Sequence, residues 1–344
     1  MKILWWQYFV LVGFSGIVVG LLTPKIREIA IRRNVVDTPT QFHKTHSEPI
    51  PYLGGVGIAI GVSLISYFFT AIFAFDALSL LSGILIPALL LGFVGLIDDI
   101  FNLKPFPRFI AQSGIGVFIA LLLIRSKTVG SPTGSDLIDG LVTTIFVVGL
   151  CNAINFFDNI DGGASGTVAI SSFVLLFLSM QSVQYYLAAM AAVLAGSTLG
   201  FLWWNKSPAR IYMGDAGSLF LGIVLASLLV RFEPSPINRF SSFAVPLLIV
   251  AVPILDAAVA IVSRIFRGAS PFQGGRDHLS HRLMKKGLSK QSAVFVLWLL
   301  SGVFGALAVV LSFAPYFLEF YVASLSAFLW CLLFVFFLRL RTLV

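Results

Sequence analysis

Eleven stretches of about twenty residues pass with almost no charged side chain, and this limits what the chain can fold into more than any other feature. They cover approximately residues 3–23, 50–73, 78–97, 107–124, 140–157, 165–181, 184–204, 216–230, 243–263, 292–313 and 315–338. About 20 apolar residues in a helix cross the ~30 Å hydrocarbon layer of a bilayer. Inside that layer each backbone N–H and C=O needs a partner within the protein, which a helix supplies by itself. The chain therefore reads as an all-α, polytopic integral membrane protein with about eleven transmembrane helices. Its charged fraction is 11% and its mean hydropathy +0.98; a soluble domain carries about a quarter charged residues. The first apolar run, Ile3 to Leu22, is long enough to span, and no small-residue cleavage site follows it, so it is expected to stay as a helix. No internal repeat of the transporter kind and no low-complexity tract interrupts the pattern, so residues 1–344 read as one transmembrane domain.

An odd number of spans puts the termini on opposite sides. With the N-terminus outside, 18 of the 23 Lys and Arg fall on the inner side, among them Lys25, Arg32, Arg33, Lys44, Lys104, Arg108, Lys206, Arg210, Arg264, Arg276 and Arg282. That bias sets an N-outside, C-cytoplasmic orientation by the positive-inside rule. It also accounts for the net charge of +8 without a nucleic-acid partner. The two cysteines, Cys151 and Cys331, lie in separate apolar runs and read as buried free thiols.

The acidic residues are more telling. Nine of the 15 Asp and Glu fall in inner loops, several beside Asn and Gly rather than beside Lys. Asp98-Asp99 ends the third span, where two carboxylates oppose the negative end of the helix dipole. Such a pair at a membrane boundary calls for a metal, a protonated partner or solvent. Asn152, Asn155 and Asp158 recur every three residues, stacking along one helix face before Asp161-Gly162-Gly163 breaks the helix. Carboxylates and amides opening into a glycine-rich loop suit a hard cation or a polar ligand; Asn152 alone also suits an interhelical hydrogen bond. Met213-Gly214-Asp215-Ala216-Gly217-Ser218 joins two spans on the same side.

The long inner loop 264–291 adds cations: Arg264, Arg267, Arg276, His278, His281, Arg282, Lys285 and Lys286. Arg and His donors can hold phosphate oxygens, while the Lys residues also suit anionic headgroups. With no thiolate nearby, the His pair does not make a zinc site. Asp256 lies inside the ninth span, either a functional carboxylate or a buried partner for an Arg or His. Near the start, His43-Lys44 and His46 lead into Pro49-Ile-Pro51-Tyr-Leu-Gly54-Gly55, expected as an ordered loop whose Lys44 could meet a phosphate. Clustered carboxylates and amides beside a basic loop, all at membrane depth, are the equipment of phosphoryl transfer on a lipid-embedded acceptor.

Those motifs occur in one order: Pro49-Ile-Pro51…Gly54-Gly55, Asp98-Asp99, Asn152…Asn155…Asp158…Asp161-Gly162, Met213-Gly214-Asp215…Gly217-Ser218 and Arg276…His278…His281-Arg282. In this the chain resembles the polyprenyl-phosphate N-acetylhexosamine-1-phosphate transferase family, from about Asp37 to Lys286. The resemblance implies eleven spans, a cytoplasmic active site in the plasma (inner) membrane, Mg²⁺ with Mn²⁺ as a substitute, a UDP-N-acetylhexosamine donor, a polyprenyl phosphate acceptor, and UMP as leaving group. It further implies Asp215 as the principal Mg²⁺ ligand, supported by Asp158, and Asp98 and Asp99 as the acidic pair that activates the lipid phosphate or supports the metal. Asp158 and His278 join that pair in the catalytic set. Lys44, Asn152, Asn155, Asp161, Arg276, His281 and Arg282 are implied in substrate binding. A homodimer is compatible with it.

The branch using the muramyl-pentapeptide nucleotide has three consecutive histidines. Here the loop reads His278-Leu279-Ser280-His281, which is more similar to the branch that starts surface glycans, with N-acetylglucosamine as the expected sugar. Ser280, Gly275 and Asn159 depart from that branch, which more commonly has His, Asp and Gly at these places. The alternatives are the muramyl-pentapeptide reaction, a proton-coupled transporter relaying through Asp256 and Asp99, and an inactive scaffold. A transporter would carry its polar groups at the bilayer midplane, whereas here they crowd one face.

Overall fold

A computed structural model describes residues 4–37, 50–101, 103, 105–127, 133–234, 239–271 and 274–340. Among them are thirteen α-helices: α1 (Trp5–Arg32), α2 (Gly54–Phe73), α3 (Leu78–Phe101), α4 (Pro105–Arg125), α5 (Asp136–Phe157), α6 (Gly163–Gln181), α7 (Tyr185–Asn205), α8 (Gly214–Arg231), α9 (Arg239–Ile249), α10 (Ala251–Phe266), α11 (Leu279–Lys285), α12 (Lys290–Phe313) and α13 (Tyr316–Arg339). Two-residue strands β1 (Val36–Asp37) and β2 (Ile50–Pro51) pair antiparallel between α1 and α2. Among the described residues ten helices are long and apolar enough to cross a bilayer; α9 and α10, bent by 76° at Val250, are apolar enough only as a pair, with the shape of a broken span or a re-entrant loop. The chain is thus the all-α, multi-pass membrane protein its apolar runs imply.

α6, α7 and α8 are the most enclosed spans, and α1 and α13 lie at the rim. α8 is packed by α3 and α5, and α7 by α1 and α6. Side chains such as Phe68, Phe93, Phe320 and Phe328 are exposed, as lipid-facing surface requires.

Three local features differ from the sequence expectation, each for a backbone reason. α1 runs on through Pro24 to Arg32. Proline has no N–H to give the carbonyl four residues back, and that carbonyl, Gly20 O, takes the Trp204 indole N–H instead at 2.9 Å. The ninth apolar run is a bent helix pair, not one continuous helix. Pro253 deprives Ile249 O of its helical donor, and Ser171 Oγ donates to that oxygen at 2.8 Å. The Trp330 indole N–H donates to Ala251 O just past the bend at 3.0 Å. Gly54-Gly55, expected in a loop, opens α2, while Ile50 and Pro51 before it are strand.

α1 and α7 meet along small residues, Gly16 and Gly20 facing Gly196 and Gly200. This small-xxx-small contact lets the two backbones approach closely. A Cβ at Gly196 would sit 2.9 Å from Val12 Cα, so Gly196→Val is expected to cost about 1–3 kcal/mol by overpacking. Thermal unfolding in detergent checks this: the midpoint should fall. Gly13→Ala, where a Cβ meets nothing within 4 Å, should leave it in place.

Candidate active site

The ends of α3, α5 and α7 and the starts of α2, α4, α6 and α8 gather at one rim of the bundle. The 50–55 and 211–217 segments run against each other there. Tyr212 N donates to Pro51 O (2.8 Å), Gly54 N to Tyr212 O (3.0 Å) and Gly55 N to Met213 O (2.8 Å). Gly55 lies so close to Gly217 that a Cβ would strike its backbone. Gly214 has φ +72°, and a Cβ there would meet Asp99 Oδ2 at 2.5 Å, so two separate constraints require glycine.

This packing delivers the N-terminus of α8 into a nest of carboxylates. Asp99 accepts the backbone N–H of Asp215 (2.9 Å) and of Ala216 (3.1 Å), one on each oxygen. Those amides are unpaired donors at a helix start, and a carboxylate suits the positive end of the dipole. Asp158, just past α5, accepts the N–H of Gly214. Asn155 Nδ2 donates to Asp215 Oδ1 at 2.7 Å and to Ser218 Oγ at 2.9 Å. Arg108, in the first turns of α4, joins the set: its Nη1 donates to both Asp98 Oδ2 and Asp215 Oδ2. Burial first, then the carboxylates of Asp215, Asp99 and Asp161, push the Asp158 carboxyl well above its usual range. Four carboxyl groups crowd around one guanidinium, which meets two of them, and their mutual repulsion is what a bound cation would relieve.

Beside this nest lies the basic loop. Asp256, fully buried on α10, accepts from His278 Nδ1 (2.7 Å) and from Leu279 N (2.7 Å). Arg264 and Arg267 both pair with Asp277, Arg264 at 2.9 Å. The two halves touch where Ser280 Oγ donates to Asn159 Oδ1 and where Phe156 packs edge-on to His278. His281 lies next to His278, ring centroids 6.0 Å apart, and its Nδ1 is buried with no hydrogen-bond partner among the described residues. Burial first, then His278, lowers the His281 pKa to about 4, which keeps the ring neutral at pH 7. Its folded pKa lies below the unfolded one, so its contribution to stability is complete above about 6.5 and is lost as pH falls toward 4. Unfolding midpoints measured across that window should drop less steeply in His281→Gln.

The expected site residues thus fall into three groups. Asp98, Asp99, Asn155, Asp158 and Asp215 converge. His278, His281 and Arg276 form the adjoining loop, Arg276 near enough to affect His281. Others are turned elsewhere. Asn152 Nδ2 donates to Gln112 Oε1 (2.6 Å) and Val148 O (2.8 Å), an interhelical tie between α5 and α4. Asp161 accepts from Ala209 N (3.2 Å), with Lys290 Nζ 4.0 Å away, and so ties the loop before α6 to the one before α8. Arg282 donates to Asp277 O (2.7 Å), Phe337 O (2.9 Å) and Leu340 O (2.5 Å), which caps the open carbonyls at the end of α13. Its guanidinium anchors α11 rather than facing the carboxylates. Arg282→Met is accordingly expected to lower thermal stability by about 1–3 kcal/mol and to change the rate through that loss. Lys44 lies outside the described residues.

Sequence reading missed Arg108 as a site residue. Its partners come from α3 and α8, so along the chain it stands as one more inner-side cation.

Among the described residues, no three His, Cys, Asp or Glu converge as a ready cage for a metal. Mg²⁺ does not need one: it usually takes one or two carboxylates and fills the rest with water and substrate phosphate. Asp215 and Asp158, in a nest of crowded carboxyl groups, fit that requirement.

Residues 81–233 match the glycosyl transferase family 4 profile. A Bacillus subtilis protein named "probable undecaprenyl-phosphate N-acetylglucosaminyl 1-phosphate transferase" is 30% identical over 316 residues, covering 90% of this chain and 86% of its own length. The decaprenyl-phosphate N-acetylglucosaminephosphotransferase of Mycolicibacterium smegmatis is 31% identical over 328 residues, 86% of this chain and 80% of its own. A phospho-N-acetylmuramoyl-pentapeptide-transferase of Mycobacterium sp. (strain JLS) is 30% identical over 363 residues, 90% of this chain and 98% of its own.

Proposed function

The chain belongs to glycosyl transferase family 4, and from that premise we propose that it transfers N-acetylglucosamine 1-phosphate from a UDP-sugar to undecaprenyl phosphate, releasing UMP and starting a cell-envelope glycan. The observation that carries this reading is the convergence of Asp98, Asp99, Asn155, Asp158 and Asp215 at one rim of a membrane bundle, with Arg108 bridging Asp98 and Asp215. The positive-inside bias supports placing that rim at the cytoplasmic face of the plasma membrane.

In the proposed reaction an oxygen of the lipid phosphate attacks the sugar-bearing phosphorus. A new P–O bond forms, the P–O bond of the diphosphate breaks, and UMP leaves with the electron pair. The lipid phosphate is largely ionised near pH 7, so no base is needed, and Arg108, itself held by Asp98, orients it. Asp99 spends both oxygens on the start of α8 and thereby aims Asp215. Asn155 holds Asp215 from the other side. Mg²⁺, held by Asp215 and Asp158, would supply positive charge to the diphosphate oxygens. Arg276 and His281 would take the donor's remaining phosphate oxygens. Catalysis here is largely positioning and charge neutralisation.

The relative that uses a muramyl-pentapeptide nucleotide keeps a second donor in view. The His278-Leu279-Ser280-His281 loop, without three consecutive histidines, favours N-acetylglucosamine. Purified protein, undecaprenyl phosphate, Mg²⁺ and sugar-labelled UDP-N-acetylglucosamine test the proposal. Label should enter the lipid phase with stoichiometric UMP, and a chelator should abolish it. Label carried only from the muramyl-pentapeptide nucleotide would move the chain to that reaction, and no transfer from either would overturn the reading.

A further inference from the structure

The buried charges behind the loop are arranged to fix one proton. Asp256 on α10 is fully buried, and His278, Arg264 and Asp277 are nearly so. Arg264 uses each of its three nitrogens: Nε to Asp277 Oδ2 (2.9 Å), Nη1 to Pro271 O (2.9 Å), and Nη2 toward His278 Nε2 (3.3 Å). A guanidinium has donors only. His278 Nε2 must therefore accept, so the ring proton sits on Nδ1, where it is donated to Asp256 Oδ2 at 2.7 Å. The other Asp256 oxygen takes Leu279 N at 2.7 Å, at the first residue of α11. Both ring nitrogens of His278 are thus committed, whereas Nδ1 of its neighbour His281 has no partner among the described residues.

We propose that Asp256 is a positioning residue: it locks His278 in the Nδ1–H tautomer and pins the start of α11, so that His281 and Arg276 are held ready for the donor diphosphate. His278 then works as a strut and carries no proton in the reaction. The link to donor binding rests on the proposed transferase function; the tautomer does not.

Asp256→Asn changes the lock with little change in shape. Its single oxygen can still take Leu279 N–H, but its NH₂ then faces His278 Nδ1. The ring must move its proton to Nε2, against the Arg264 donor. The chain has four histidines, so ¹⁵N-histidine spectra of the full-length protein in nanodiscs are simple, and the His278→Asn spectrum assigns the His278 signals. The wild type should show Nδ1 protonated and Nε2 bare, and Asp256→Asn should show Nε2 protonated. In the transfer assay Asp256→Asn should raise KM for the UDP-sugar at least tenfold and change KM for polyprenyl phosphate less than twofold. A wild-type His278 protonated on Nε2 would overturn the lock, and this needs no variant to fold. A folded Asp256→Asn with wild-type KM for the UDP-sugar would overturn the positioning role. Failure of the wild type to use any UDP-N-acetylhexosamine would instead sink the transferase reading and leave the spectra to decide the lock.

Discussion

Asp215→Asn is expected to lower the rate of UMP release by about a thousandfold while the protein keeps its fold, a loss of the size seen when one electrostatic contact of an active site is removed. The variant is nearly the same shape. Asn155 Nδ2, which now donates to Asp215 Oδ1 at 2.7 Å, can still find an oxygen there. The second position becomes an NH₂ facing Arg108, a donor against a donor, and one negative charge is gone. Backbone contacts to the start of α8 run through Asp99 and do not involve this side chain. Thermal unfolding should therefore move little while the labelled-lipid assay falls to near background. Full activity with unchanged Mg²⁺ dependence in Asp215→Asn would remove this residue from the metal site.

Arg108→Met should be the next largest effect, and it should combine two losses. Arg108 is the cation shared by Asp98 and Asp215, with side-chain exposures of 19%, 11% and 25% respectively. Removing it leaves two partly buried carboxylates without their shared cation, which costs about 1–3 kcal/mol of stability. Residual solvent at all three groups keeps the loss below that of a fully buried pair. The transfer rate should fall about a hundredfold, because the orienting charge for the lipid phosphate goes as well. Arg108→Lys should restore part of the stability but less of the rate: an ammonium is a point charge without the planar fork. Melting curves and initial rates on the same preparations separate the two losses. An Arg108→Met protein with the wild-type rate would show that this guanidinium is only a structural counter-ion.

Some of this architecture could be read along the chain. Each span announces itself by apolar length, because solvation of a helix by lipid depends on its own residues and not on its neighbours. The basic loops follow from the same one-dimensional count. Asp98-Asp99, Asn155, Asp158 and Asp215 stood out because acids among amides and glycines, without Lys, have no cheap structural use at a membrane boundary. Their meeting was an expectation, and the helix ends bring it about.

The rest depended on which residues distant helices present to each other. The break at Val250 lies in a run as apolar as its neighbours; Ser171 and Trp330 accommodate it by capping the carbonyls beside it. Arg108 looked like one more inner-side cation until α4 packed it between Asp98 and Asp215, the latter 107 residues away. Arg282 had the loop position of a phosphate ligand, yet α13 ends beside it and takes its Nη1. Asn152 shares a helix face with Asn155, but Gln112 draws its amide toward α4. By itself, then, the sequence determined that the chain crosses the membrane many times and collects its carboxylates on one side, since burial of apolar length and the cost of isolated charge are local quantities. Only the tertiary structure decided which carboxylates meet, which arginine serves the site and which histidine is locked, because each depends on partners brought from elsewhere in the chain by helix packing.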